Sequence, residues 1–219
     1  MIRVGLTGGI AAGKTVVSKR FEELGVPVVD YDQLARDVVG PDTEGLAAVV
    51  AEFGDSVLTG DGQLDRAKMS ERVFADDAAR DALEEIIHPL VIAEGQRLDA
   101  ITGEAGEAMI VHDIPLLVEA AGPEAFDAVI VVDAAPQIRA DRLVIERGYT
   151  AQEAWDRISA QIDDEVRLDA ADVVFDGTGT VDDLRAQVDA WVEQVRREGV
   201  HYRPAQERTK FLVTEDGLG

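Results

Sequence analysis

The chain has 219 residues, long enough for one sizeable α/β core with inserted subdomains, and its 46% hydrophobic content argues against disorder over most of that length. It carries 44 acidic against 21 basic residues, a net charge of −23, which argues against a nucleic-acid surface and requires any polyanion site to be a local positive island. Cysteine is absent, so disulfides and thiolate metal sites are excluded. No apolar run approaches the roughly 18 residues of a membrane span, and a strand-like run starting at Ile2 leaves no room for a signal peptide. The expectation is a cytoplasmic protein with no membrane or nucleic-acid partner.

In chain order, the apolar run Ile2 to Leu6 leads into Gly8-Gly9-Ile10-Ala11-Ala12-Gly13-Lys14-Thr15, and a helical pattern follows (Val16, Val17, Phe21, Leu24). The octapeptide fits G-x-x-x-x-G-K-[ST], the phosphate-binding loop, and it stands between strand and helix as that loop must. Glycines let the backbone amides form an anion nest, and the helix turns its positive end to the phosphates. In such a loop Lys14 reaches the β- and γ-phosphates of a nucleotide and the Thr15 hydroxyl holds Mg²⁺. The candidate nucleotide site is Gly8, Gly9, Ala11, Ala12, Gly13, Lys14, Thr15 and Val16.

A second strand-like run, Val26 to Val29, ends at Asp30-Tyr31-Asp32. Asp32 has two readings. It can cap the next helix and pair with Arg36, or it can take the proton from a hydroxyl that receives a phosphoryl group. Residues from about 41 to 100 are mostly helical and too long for an ordinary crossover. They read as a helical insert, with His88 before Pro89 inside it. The histidines share no metal-ligand spacing, so no zinc site is expected.

A third run, Met109 to Val111, leads to Asp113, a candidate Mg²⁺ partner, and to Ile114-Pro115-Leu116-Leu117-Val118-Glu119. That last stretch is either core packing or a wall for an organic substrate. A fourth run, Ala128 to Val132, precedes a charged amphipathic segment, about 139 to 170, read as a mobile cap. It holds Arg139, Arg142 and Arg147, which form either a solvated face or a clamp for the transferring phosphoryl group. Val173 to Phe175 is the fifth strand, Val181 to Val195 the closing helix, and 200 to 219 a tail of little periodicity. Alternating apolar strands and helices predict a three-layer α/β/α fold with a five-stranded parallel sheet, ligands lying at the carboxyl ends of the strands.

Together, the Gly-Leu-Thr-Gly-Gly-Ile opening, Val29-Asp30-Tyr31-Asp32 with Arg36, Ile87-His88-Pro89, Asp113 to Glu119, and Ala160-Gln161 followed by Ala171-Asp172 resemble the dephospho-coenzyme A kinase family over about residues 1 to 197. The resemblance implies ATP-dependent phosphorylation of the ribose 3′-hydroxyl of dephospho-CoA, with ATP as co-substrate and Mg²⁺ as cofactor. It implies a core (about 1–40, 101–138 and 171–199), a substrate-binding helical insert (41–100) and a lid (139–170). Carried over by position, it gives Lys14, Thr15, Ala11, Ala12 and Val16 to ATP, and Thr15 and Asp113 to the metal. Asp32 becomes the base, and Arg142, with Arg139 or Arg147, acts from the lid. His88, Asp113, Pro115, Leu116 and Glu119 would help hold dephospho-CoA. Two departures stand out. Ala11-Ala12 replaces the family's glycine and small residue, which requires a negative φ at Ala11, and Gly177 stands where the family often has Asn.

Two other functions fit the residues alone. One is a kinase for another acceptor. The other is a nucleotide switch, but a guanine switch needs an Asn-Lys-x-Asp motif, and the chain contains no asparagine.

Overall fold

A computed structural model describes residues 1–198 and the backbone of Phe211–Leu212. The rest of the tail expected over 200–219 lies outside the described residues. All five expected strands form: β1 (Ile2–Gly8), β2 (Val28–Asp30), β3 (Met109–Asp113), β4 (Ala128–Asp133) and β5 (Val173–Asp176). A sixth, β6 (Phe211–Leu212), adds two residues beside β5, so the sheet has one strand more than expected and runs β2-β3-β1-β4-β5-β6. β1 pairs in parallel with both β3 and β4. Its loop therefore opens where the strand order reverses, the place where such sheets bind ligands.

Two compact units can be distinguished, and each is described by itself. The first comprises Met1–Val29 and the chain from Thr102. Its strands are almost continuously buried, as a sheet covered on both faces demands. The helices α1 (Lys14–Glu23) and α9 (Val181–Glu198) pack one face of the sheet. Val17, Phe21, Leu184, Val188, Trp191 and Val192 meet Val4, Leu6, Ile130, Val132 and Phe175 in one core.

The second unit, Asp30–Ile101, takes in α2 (Tyr31–Asp37), α3 (Glu44–Phe53), α4 (Arg66–Ala75) and most of α5 (Asp77–Glu104). Thr43 and Asp65 cap α3 and α4 through their side chains. Val39, Val49, Phe53, Val57, Met69 and Ala79 give this unit a core of its own.

The segment after β4 folds as α6 (Pro136–Arg147), α7 (Ala151–Ser159) and α8 (Asp164–Asp169). Pro136 opens α6 with φ already helical, and Gly148 ends it in the left-handed region. A capping box between Thr150 and Glu153 starts α7. Ala140, Leu143 and Ala154 close a small cluster between α6 and α7.

Phe21 is fully buried and meets the Trp191 ring edge-on at 5.8 Å. Phe21→Ala should therefore cost about 3–5 kcal/mol of stability, measured by urea unfolding followed through tryptophan emission. A loss below about 1 kcal/mol would show that the α1–α9 core is not packed as described.

Candidate active site

The loop between β1 and α1 is built from backbone constraints. Gly13 has φ 119°, a region that side-chain-bearing residues avoid, and it turns the chain into α1. The next amides open the helix without intrahelical acceptors, as the first N–H groups of any helix do. Ala12 is buried in the main core, and its N–H donates to the Gly9 carbonyl at 3.0 Å. Ala11 has φ 61°. The expected negative φ is therefore wrong: the alanine is held left-handed, a conformation that costs an L-residue about 1–2 kcal/mol. Its methyl group packs against the Ala140–Leu143–Ala154 cluster, which offsets part of that cost.

Lys14 and Asp113 form an ion pair, with side-chain exposures of 21% and 7%. Asp113 ends β3 directly opposite Leu6 of β1, so the parallel register delivers the carboxylate to the head of the loop. Thr15 is exposed at the start of α1.

The three arginines of α6 have different fates. Arg139 is 1% exposed and donates to the Ala134 carbonyl at 2.9 Å and to Asp164. Arg167, also buried, reaches the other oxygen of Asp164 at 2.7 Å. One carboxylate thus bridges two buried guanidinium groups. Burial pushes the Arg139 guanidinium down from its ordinary value, and Asp164 pulls it back up. Burial, helped by the Asp164 charge, raises the Asp133 carboxyl. The Nη1 of Arg139 lies against Gly9 and has no hydrogen-bond partner.

Arg142 reaches backward across the loop. Its Nη1 donates to the carbonyls of Ala11 (3.1 Å) and Ala12 (3.3 Å), and its Nη2 to that of Gly177 (2.6 Å). Arg142, and the Nε and Nη2 of Arg139, are therefore held by protein acceptors. Arg147, in the last turn of α6, is exposed.

Residues 2–183 match the family model for dephospho-CoA kinase. The chain belongs to the dephospho-CoA kinase family. A relative named dephospho-CoA kinase from Streptomyces avermitilis is 46% identical over 198 residues, covering 90% of this chain and 96% of the relative. Another of that name, from Cutibacterium acnes, is 47% identical over 190 residues, covering 86% and 82%. The solved structure of TT1252 from Thermus thermophilus superposes with TM-score 0.72 at 28% identity, covering 89% of this chain and 97% of that one. A Campylobacter jejuni dephospho-CoA kinase shares the fold at TM-score 0.70 and 24% identity, over 89% and 97% of the two chains. The protein is thus a kinase, a phosphotransferase, on an α/β fold.

The remaining family elements occupy different environments. Asp30, not Asp32, caps α2, accepting from the Gln33 N–H at 3.0 Å. Asp32 lies exposed in the first turn, and the expected ion pair to Arg36 does not form. The capping alternative for Asp32 is thereby removed. His88 is exposed within α5, beside the internal Pro89. The run from Ile114 to Glu119 is both things at once. Ile114 and Leu117 are core, whereas Leu116 is 52% exposed and Glu119 is exposed too. Pro115 is tied down through its carbonyl, which accepts from the Thr7 hydroxyl at 3.1 Å.

The contacts of three further contributors were not foreseen from the sequence. Gln161 accepts the Ile10 N–H at 2.7 Å. Asp164 joins Arg139 to Arg167. Gly177 is pressed so closely on the loop that a Cβ there would overlap the Ala12 carbonyl. Gln161 had a signal in the Ala-Gln pair of the family pattern. Gly177 had one in its departure from the family's usual Asn, whereas Asp164 had none, because it acts through a pairing made only by the fold.

Asp164→Ala would leave Arg139 and Arg167 without their shared counter-charge. Unfolding free energy should fall by about 3–5 kcal/mol, read from denaturant melts. A change within about 0.5 kcal/mol would mean that solvent already screens the pair.

Proposed function

We propose that this chain transfers the γ-phosphoryl group of ATP to the ribose 3′-hydroxyl of dephospho-CoA, the final step of coenzyme A synthesis. The observation that carries this reading is the Lys14–Asp113 pair at the head of a phosphate-binding loop, in a chain of this family. Phosphoryl transfer has little covalent chemistry for the protein to perform, so catalysis is positioning and charge stabilisation. The loop amides and Lys14 cradle the β- and γ-phosphates, and Lys14 exchanges its bond with Asp113 for the incoming charge.

The donor set suits magnesium. A hydroxyl at Thr15 and a carboxylate at Asp113 are hard oxygen ligands. Among the described residues no cluster of three or more His, Cys, Asp or Glu could hold a metal alone. That fits an ion which keeps its waters and takes further oxygens from the nucleotide. Thr15 and Asp113 would hold Mg²⁺, which when bound offsets the charge on the β- and γ-oxygens.

Asp32, just beyond the carboxyl end of β2, accepts the proton of the 3′-hydroxyl. Its exposure and its lack of a capping duty leave the carboxylate available for this role. The unit Asp30–Ile101, with His88, receives dephospho-CoA, and Pro115, Leu116 and Glu119 hold its organic portion. Arg147 is the α6 arginine left to meet the transferring phosphoryl group, and residues 139–170 serve as the lid that keeps water out. No described helix is long and apolar enough to cross a membrane. The work is assigned to the cytoplasm, with ATP and dephospho-CoA as small-molecule partners and no nucleic acid.

ADP release, followed by a coupled assay, should require dephospho-CoA and fail with adenylate or shikimate; acceptor-independent turnover would contradict the reading. Asp32→Asn should lower kcat by about 10²–10⁴-fold, the usual worth of a general base. Turnover within a few-fold of wild type would remove Asp32 from the mechanism.

A further inference from the structure

The departures from the family pattern, Ala11-Ala12 and Gly177, are in contact with one another. The Ala12 carbonyl occupies the space that any side chain at 177 would need. Gly177 is buried, and its N–H donates to the Asp133 carbonyl at 2.7 Å, which fixes the turn after β5 to the end of β4. Across this junction lies the Arg142 guanidinium, which donates to the Ala11, Ala12 and Gly177 carbonyls together. One planar fork thus satisfies acceptors from two segments more than 150 residues apart in sequence. Arginine suits that task, because its donors are fixed in a plane and its charge strengthens each bond.

A phosphate loop works only when its amides face the ligand. Its carbonyls then face the protein and need donors there. Ala11 makes the need acute, since its left-handed φ of 61° is disfavoured without restraint. We infer that Arg142 and Gly177 are positioning residues for ATP: by holding the Ala11 and Ala12 carbonyls against the turn at 177, they keep the loop amides from Gly13 onward turned out for the phosphates. This assignment rests on the kinase reading and gives Arg142 a role before the chemical step. Gln161, which takes the Ile10 N–H, supports the same loop from the α7–α8 connection.

The test is a set of variants read in two ways. Binding is measured by equilibrium titration with a fluorescent ATP analogue. Turnover is measured with dephospho-CoA, separating kcat from each KM. Arg142→Met should weaken nucleotide binding about 10- to 100-fold, the scale of a misplaced reactive geometry, and leave the KM for dephospho-CoA within about twofold. Gly177→Ala attacks the junction from the other side and should weaken nucleotide binding in the same direction. Melting curves for both variants separate loop displacement from unfolding, and Gly177→Ala carries the test should Arg142→Met fail to fold.

The deciding variant is the double change Ala11→Gly with Arg142→Met. Glycine adopts the left-handed region freely, so about fivefold of the lost affinity should return. A direct arginine–phosphate contact could not be restored that way. Unchanged nucleotide affinity in Arg142→Met, a loss confined to kcat, or no recovery in the double variant would each overturn the assignment. Wild-type chain that binds nucleotide but ignores dephospho-CoA would overturn the kinase reading instead, and would leave the binding comparison intact.

Discussion

Buried carbonyl oxygens need donors, and this constraint governs how the active-site loop is built. Turning the loop amides from Gly13 onward toward a phosphate leaves the carbonyls of Ala11 and Ala12 facing inward. There Arg142 meets them, at 3.1 and 3.3 Å. Its own position depends on α6, which packs through Leu143 and Ala140 onto α7. Beside it, Arg139 and Arg167 share Asp164, which keeps α8 and the start of α6 together. The loop is thus made ready by protein contacts and not by the ligand alone. Preformed geometry of this kind is what phosphoryl transfer asks of a protein.

The same arrangement answers the problem posed by the charge. In a chain of net charge −23, a polyphosphate must find a positive enclave. Lys14, Arg139, Arg142 and Arg167 concentrate there, with Asp113 paired to Lys14 and Asp164 to Arg139 and Arg167. Lys14, half-buried, and Asp113 neutralise each other, so the lysine at the head of the loop is paired within the protein itself.

Much of the fold was legible in the sequence, because it is written in local patterns. Apolar runs gave all five principal strands, and the glycine-lysine-threonine spacing placed the loop between β1 and α1. Asp113 was legible for the same reason: a strand that ends in an acid carries it to a known edge of the sheet. Long-range partners were not. Nothing near Arg142 in sequence shows that it will reach Gly177, and nothing near Asp164 shows two buried arginines. Ala11 was misread because backbone sign at a single position depends on what the surrounding packing will support. Asp30 and Asp32 were told apart only when the start of α2 was fixed, since a one-residue shift there exchanges cap and free carboxylate.

Protein contacts hold the active-site loop open before nucleotide binds. Amide hydrogen exchange in the nucleotide-free protein tests this directly, read at Ile10 and Ala12, whose N–H groups donate to Gln161 and Gly9. Wild type should protect both amides, and Arg142→Met should speed their exchange by about tenfold or more, as expected where a local opening free energy falls by about 1.4 kcal/mol. Equal exchange in the two proteins, or no protection in wild type until ATP is added, would contradict a loop held by the protein itself.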